Sequence, residues 1–180
     1  VVLTVTRGAE TLDFTVTREE VYNEQIEIEL LSGNIGYMSI AGFENNVDLE
    51  FEQKLQELLD MGATSLIFDV RFNPGGYVEV MANMLDRLLP EGTIISMSYK
   101  DGRTRSYTSD AECVDMPMAV ITNAYSISAA EFFAAALQEY GVATVVGEST
   151  GGKGYAQTLI TMEDGSSINL SIARYYTPKG

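Results

Sequence analysis

The sequence predicts an α/β domain built from parallel strand-helix-strand units. Two features carry that expectation. An apolar run of buried-strand type, a loop and a stretch of helical periodicity follow one another from Ser65, and the same succession recurs from Met118. The 180 residues, 46% hydrophobic and 21% charged, have ordinary globular composition. They are enough for one core, since domains of roughly 150 residues bury about 70% of their unfolded surface.

Val2 to Thr6 and Leu12 to Thr17 alternate apolar and polar side chains around the turn-prone Arg7-Gly8-Ala9-Glu10, which reads as a β-hairpin. Ile26 to Leu30 and Ile35 to Ile40 repeat the pattern across Ser32-Gly33-Asn34. From Val47 the apolar Leu49, Phe51, Leu55, Leu58 and Leu59 fall into helical spacing, with Gly62 as the stop. Ser65 to Phe68 is then a strand, Arg71 to Gly76 a loop, Tyr77 to Leu89 a helix and Ile94 to Met97 a returning strand. The second unit runs strand Met118 to Thr122, loop Asn123 to Ile127, helix Ala129 to Tyr140 closed by Gly141, strand Ala143 to Val146. Short connections imply that each unit is a parallel pair with a right-handed crossover. Ligands of such sheets lie beyond the carboxyl ends of the strands, so the loops after Val70 and Thr122 should meet at one edge. Leu159 to Met162 and Ile168 to Ile172 complete the domain as a hairpin across Glu163-Asp164-Gly165-Ser166.

Composition narrows the chemistry. A formal charge of −15, from 26 acidic and 11 basic residues, repels phosphate backbones and anionic membrane surfaces, so no nucleic acid partner is expected. No apolar run approaches the ~20 residues of a membrane span, and membrane anchoring is expected only through a segment upstream of this sequence. The chain opens on Val1 and closes just after Thr177-Pro178, which reads as a piece of a longer protein. The lone Cys113 can form no internal disulfide and reads as a small, partly buried side chain. There is no histidine, which removes the commonest general base and the commonest metal ligand. Hydrolytic chemistry here needs another base, and no metal or organic cofactor is expected.

Ser128 and Lys153 are brought together by arithmetic. The helix after Ser128 runs about 13 residues, or roughly 20 Å. The following strand returns about 16 Å at ~3.3 Å per residue. The loop Glu148 to Gly154 must therefore lie near the amino end of the Ser128 helix. A serine hydroxyl needs a neutral base beside it, and a lysine serves only where an apolar, water-poor pocket favours the uncharged amine. Ala129, Ala130, Phe132, Phe133 and the glycines around Lys153 offer such surroundings, with Glu131 and Glu148 the only carboxylates. Gln157 is placed to orient the amine. The amides of Ala129 and of Gly75 or Gly76 are candidates for an oxyanion hole.

Each piece has a plainer reading. Ser128 with Glu131 three residues on is a helix capping box, and Ser126 competes for the same cap. Asn73-Pro74-Gly75-Gly76 alone is an ordinary turn, and Lys153 alone a surface lysine. Gly147 to Lys153 also nearly fits a phosphate-binding P-loop. Gly154 stands where that loop needs Ser or Thr, however, and Tyr155 to Met162 reads as a strand where a helix should begin.

Taken together, Asn34 to Ile40, Asp69 to Gly76, Ser126 to Glu131, Gly151 to Gly154 with Gln157, and Ala173 to Pro178 resemble the carboxyl-terminal processing peptidases, or tail-specific proteases. The resemblance runs in order from about Ile35 to Pro178. It implies a Clp protease/crotonase-like core and a Ser-Lys serine peptidase. The family's nucleophile precedes its lysine by 25 positions, which selects Ser128 over Ser126. Lys153 is then the general base, Gln157 its partner, and Ala129 with the Asn73 to Gly76 loop the oxyanion hole. Gly151 stands where the family pattern has an aromatic residue, which implies a looser lysine loop. The resemblance further implies that residues 1–20 are the trailing hairpin of a PDZ-like domain and 21–180 the catalytic domain. It also implies protein or peptide substrates with apolar C-terminal tails and an extracytoplasmic location, whether periplasmic, cell-surface or secreted. The alternative within the same fold is a peptide-binding relative without catalysis.

Overall fold

The computed structural model describes residues 1–19 and 23–180. Its strands form three sheets. A hairpin of β1 (Val2–Arg7) and β2 (Glu10–Thr15) stands by itself, with Arg7 opposite Glu10 across the turn. Its side chains are almost all exposed, including Val2, Leu3, Val5 and Phe14. The expected domain boundary between residues 20 and 21 lies outside the described residues.

The main sheet has five strands, in the order β3 (Ile26–Leu31), β4 (Ile35–Ile40), β5 (Ser65–Asp69), β8 (Met118–Thr122) and β9 (Ala143–Gly147). The β3–β4 pair is antiparallel and pairs Ile26 with Ile40; β4, β5, β8 and β9 run parallel. Alternation along β4 buries Gly36, Met38 and Ile40 on one face and leaves Ile35, Tyr37 and Ser39 half-exposed. The buried face is covered by helices α1 (Val47–Asp60), α2 (Val78–Asp86) and α3 (Ala129–Tyr140). Phe51, Phe68, Phe133 and Phe43 form a chain of rings through this core, with centroids 5.6 to 6.1 Å apart and an edge-on contact between Phe68 and Phe133. The α3 span matches its periodicity residue for residue, and Gly141 closes it in the left-handed conformation at φ 76°. No helix among the described residues is long and apolar enough to cross a membrane.

One expected parallel unit is different. The strand after α2, β6 (Gly92–Tyr99), does not return beside β5; β8 takes that place. Instead β6 enters an antiparallel sheet of order β10 (Tyr155–Thr161), β11 (Ser167–Tyr176), β6 and β7 (Thr104–Ser109). The polar β7 carries almost no apolar alternation, so periodicity could not find it. It supplies the hairpin partner that draws β6 out of the parallel sheet. The helix before it is also shorter than its periodicity suggests, ending at Asp86 rather than Leu89.

Candidate active site

The parallel sheet ends in two loops that meet at its carboxyl edge. The first, 70–77, rests on Asp69, whose buried carboxylate accepts from the Arg71 backbone amide at 3.0 Å, from Arg71 Nη2 at 2.6 Å and from the Tyr37 hydroxyl at 2.8 Å. Burial works against ionisation of Asp69, but the hydrogen bonds from Arg71 and Tyr37 outweigh it and hold the carboxyl below its ordinary value of 3.8. A depressed carboxylate contributes stability above its unfolded pKa and loses it as pH falls through the folded one. Asp69→Asn should therefore cost roughly 1–2 kcal/mol at pH 7, less than a fully buried pair because Arg71 is half-exposed. The deficit should shrink as pH falls below the ordinary carboxylate value of 3.8 and through the depressed one, as read from urea unfolding at each pH.

Asn73, wholly buried, then binds the loop to its surroundings. Its Nδ2 donates to the Ile40 carbonyl at 2.9 Å, its Oδ1 accepts the Gly75 amide at 2.8 Å, and its carbonyl accepts the Ile127 amide at 3.0 Å. Gly75, at φ 100°, lies directly against the second loop. A Cβ there would come within 2.8 Å of the Ile127 carbonyl and 2.9 Å of Ser128 Cβ. The expected meeting of the two loops is thus a backbone contact that only glycine permits.

Ser128 sits at the amino end of α3, buried and with φ 59°, ψ −117°. Few non-glycine residues adopt positive φ, and the strain is of order 1–3 kcal/mol. Ser126 is committed elsewhere: its hydroxyl donates to the Val70 carbonyl at 2.7 Å and accepts the Asn123 amide at 3.0 Å, all buried. Of the candidate oxyanion donors, the Gly75 amide is occupied by Asn73 Oδ1. Those of Gly76 and Ala129 make no hydrogen bond among the described residues.

The lysine loop is held at this same point. The carboxylate of Glu131 accepts the Ser128 amide at 2.7 Å and the Lys153 amide at 2.8 Å, and also accepts the Gly152 amide at 2.5 Å. Gly151 donates to the Ser126 carbonyl at 3.0 Å, and Gly154 accepts from the Tyr175 amide at 3.0 Å. Gly151 is also pressed against Ile127, whose Cγ1 would lie 2.8 Å from an added Cβ. The loop is therefore tied at four successive residues, a tighter anchorage than the missing aromatic implied. Tyr175 behind it packs on Phe132 at 4.9 Å, and burial pushes its hydroxyl up to about 12.

Lys153 is half-buried and has no carboxylate within 4 Å of its amine among the described residues. No hydrogen bond joins its Nζ to Ser128 Oγ; such bonds are often long until substrate tightens them. Gln157 lies exposed on β10, at a bulge between Ala156 and Gln157, and its side chain makes no hydrogen bond among the described residues. Glu131 is the residue that sequence reasoning undervalued. It read as a local cap; its reach across to Gly152 and Lys153 depends on a strand return that spacing alone does not resolve to atoms. Glu131→Gln keeps one acceptor and turns an amide against these donors. It should cost about 1–3 kcal/mol of stability and lower any hydrolytic turnover roughly 10- to 100-fold, measured side by side on one preparation.

A serine on a strained turn between strand and helix, at the carboxyl edge of a parallel sheet and beside free amides, is the arrangement that serine hydrolases use. The P-loop reading falls, because the segment after Lys153 is a strand. The chain belongs to peptidase family S41, whose model matches residues 34–180. It is 34% identical over 172 residues to the carboxyl-terminal-processing protease of Synechocystis sp. PCC 6803, covering 93% of this chain and 40% of that protein. It is 33% identical over 175 residues to the carboxy-terminal processing protease CtpA of Bacillus subtilis 168, covering 96% and 38%. Among solved structures it resembles a photosystem II D1 C-terminal processing protease, with TM-score 0.77 and 29% identity over 94% of this chain and 48% of that one. The chain thus spans about two fifths of the length of these curated relatives. The family is one of C-terminal processing serine proteases, hydrolases that act on protein substrates.

Proposed function

We propose that this chain carries the Ser-Lys centre of an endopeptidase that cuts protein substrates near their carboxyl terminus. Ser128 Oγ attacks the scissile carbonyl carbon while Lys153 Nζ takes the hydroxyl proton; the carbonyl oxygen gains the negative charge and is held by the amides of Ala129 and Gly76. Collapse of that intermediate expels the amine, which receives the proton from Lys153. Water then attacks the acyl-enzyme by the same route and restores Ser128. Gln157 orients the lysine amine, and Gly75 contributes to the oxyanion hole by closing the loop against Ser128. The observation that supports this reading most directly is the Glu131 carboxylate, which holds the Ser128 and Lys153 amides at 2.7 and 2.8 Å.

The substrates are proteins with apolar C-terminal tails, and the location is extracytoplasmic. Residues 1–20 are the trailing hairpin of a PDZ-like domain that precedes the catalytic domain of 21–180. The exposed apolar side chains of β1 and β2, which pair with no other strand among the described residues, support that division. The test of the catalytic reading is a fluorophosphonate probe. It should label Ser128 covalently and leave Ser128→Ala unlabelled; an unlabelled starting chain would favour a peptide-binding relative without catalysis.

A further inference from the structure

We infer that Phe72 and Tyr125 form a binding platform for an apolar side chain of the substrate peptide, beside the bond that Ser128 attacks. The inference rests on the catalytic reading for the position of that bond. The two rings stack with centroids 5.6 Å apart and planes 19° from parallel, although 68% of Phe72 and 63% of Tyr125 is exposed. They come from different loops and are held in step by one group: Asn123 Oδ1 accepts the Phe72 amide at 3.1 Å and the Tyr125 amide at 3.0 Å.

The pair stands on the two loops that carry the site. Tyr125 precedes Ser128 by three residues and Phe72 precedes Gly75 by three, so each ring's backbone is within about 11 Å of the point where Gly75 touches Ser128. The free amides of Gly76 and Ala129 flank that point. A peptide whose carbonyl sits there presents its neighbouring side chains to the stacked rings.

Folding alone does not account for Phe72. Its φ of 62° is a conformation that glycine or asparagine adopts with little cost and a bulky residue does not. A residue that is strained and two-thirds exposed contributes little to the core. An aromatic face of this kind suits aliphatic or aromatic side chains and gives a serine or a carboxylate nothing to bond.

The test uses the whole chain carrying Ser128→Ala, so that bound peptide is not cut. Two unstructured ten-residue peptides of Gly, Ala and Ser are compared, alike except for one leucine or one serine at a single position, with affinity read by fluorescence anisotropy. Leucine should bind about tenfold tighter. Adding Phe72→Gly should bring the ratio to within about twofold while the melting temperature holds or rises, since glycine relieves the strain. Tyr125→Ala should also collapse the ratio. Equal affinities in the starting chain, a tenfold ratio that survives Phe72→Gly, or a lower melting temperature in Phe72→Gly each overturns the assignment. Phosphonate labelling of Ser128 is independent of these outcomes. A labelled chain with no leucine preference defeats the platform alone, and a leucine preference without labelling defeats the catalytic reading alone.

Discussion

Replacing Ser128 should abolish peptide hydrolysis, and the two smallest replacements should separate its chemistry from its backbone. Ser128→Ala removes the nucleophile and should lower kcat by roughly 10⁴-fold or more, the scale seen when a serine hydrolase loses its attacking group. Alanine is no more at ease than serine at φ 59° and is the poorer residue at a helix amino end by about 1 kcal/mol, so the melting temperature should fall by roughly 2–4 °C. Ser128→Gly should be equally inactive yet more stable. Glycine relieves a strain of about 1 kcal/mol or more and costs only a few tenths at a helix amino end. For 180 residues, about 1 kcal/mol corresponds to a rise of roughly 2–4 °C. Steady-state cleavage of an unfolded protein and calorimetry on the same two variants check both halves. An active alanine variant defeats the nucleophile, and a glycine variant that melts lower defeats the strain.

Lys153 should be as indispensable, and its replacement by arginine is the informative case. Lys153→Ala removes the proposed base and should cost roughly 10³- to 10⁴-fold in kcat. Lys153→Arg keeps most of the stem and places a fixed cation at the site, but a guanidinium does not give up its proton in proteins. If the lysine acts as a base, arginine is as inactive as alanine. Were it merely a cation at the site, arginine would restore much of the rate. Both variants keep the backbone amide that Glu131 accepts, so the loop should remain tied and circular dichroism unchanged. Retained cleavage in Lys153→Arg would remove lysine from the proton transfer.

Both replacements rest on features that differ in how far they could be read beforehand. Helix α3 and strand β9 were legible because apolar spacing, a serine start and a glycine stop agree locally. The β3–β4 hairpin was legible for the same reason. Strand β7 was not, since an exposed polar strand leaves no periodic trace, and with it went the placement of β6. The competition between Ser126 and Ser128 has a physical counterpart in three dimensions. Ser126 spends its hydroxyl on Val70 and Asn123, while Ser128 stands on the strained turn. The Gly75 amide shows the opposite limit. Spacing made it an oxyanion candidate, but Asn73 Oδ1 takes it, and nothing in the local sequence shows that bond.

The sequence by itself determined the alternation of elements, the two loops at one sheet edge, the absence of histidine and the identity of the residues that carry the family pattern. These follow from local periodicity and residue chemistry, which act over a few positions. Only the tertiary structure decided that β8 and not β6 lies beside β5, that Gly75 closes on Ser128, and that one carboxylate joins the Ser128 turn to the Lys153 loop. Those contacts lie between segments distant in the chain. They are set by how α3 and β9 pack back on the sheet, and their geometry exists only once the core has formed.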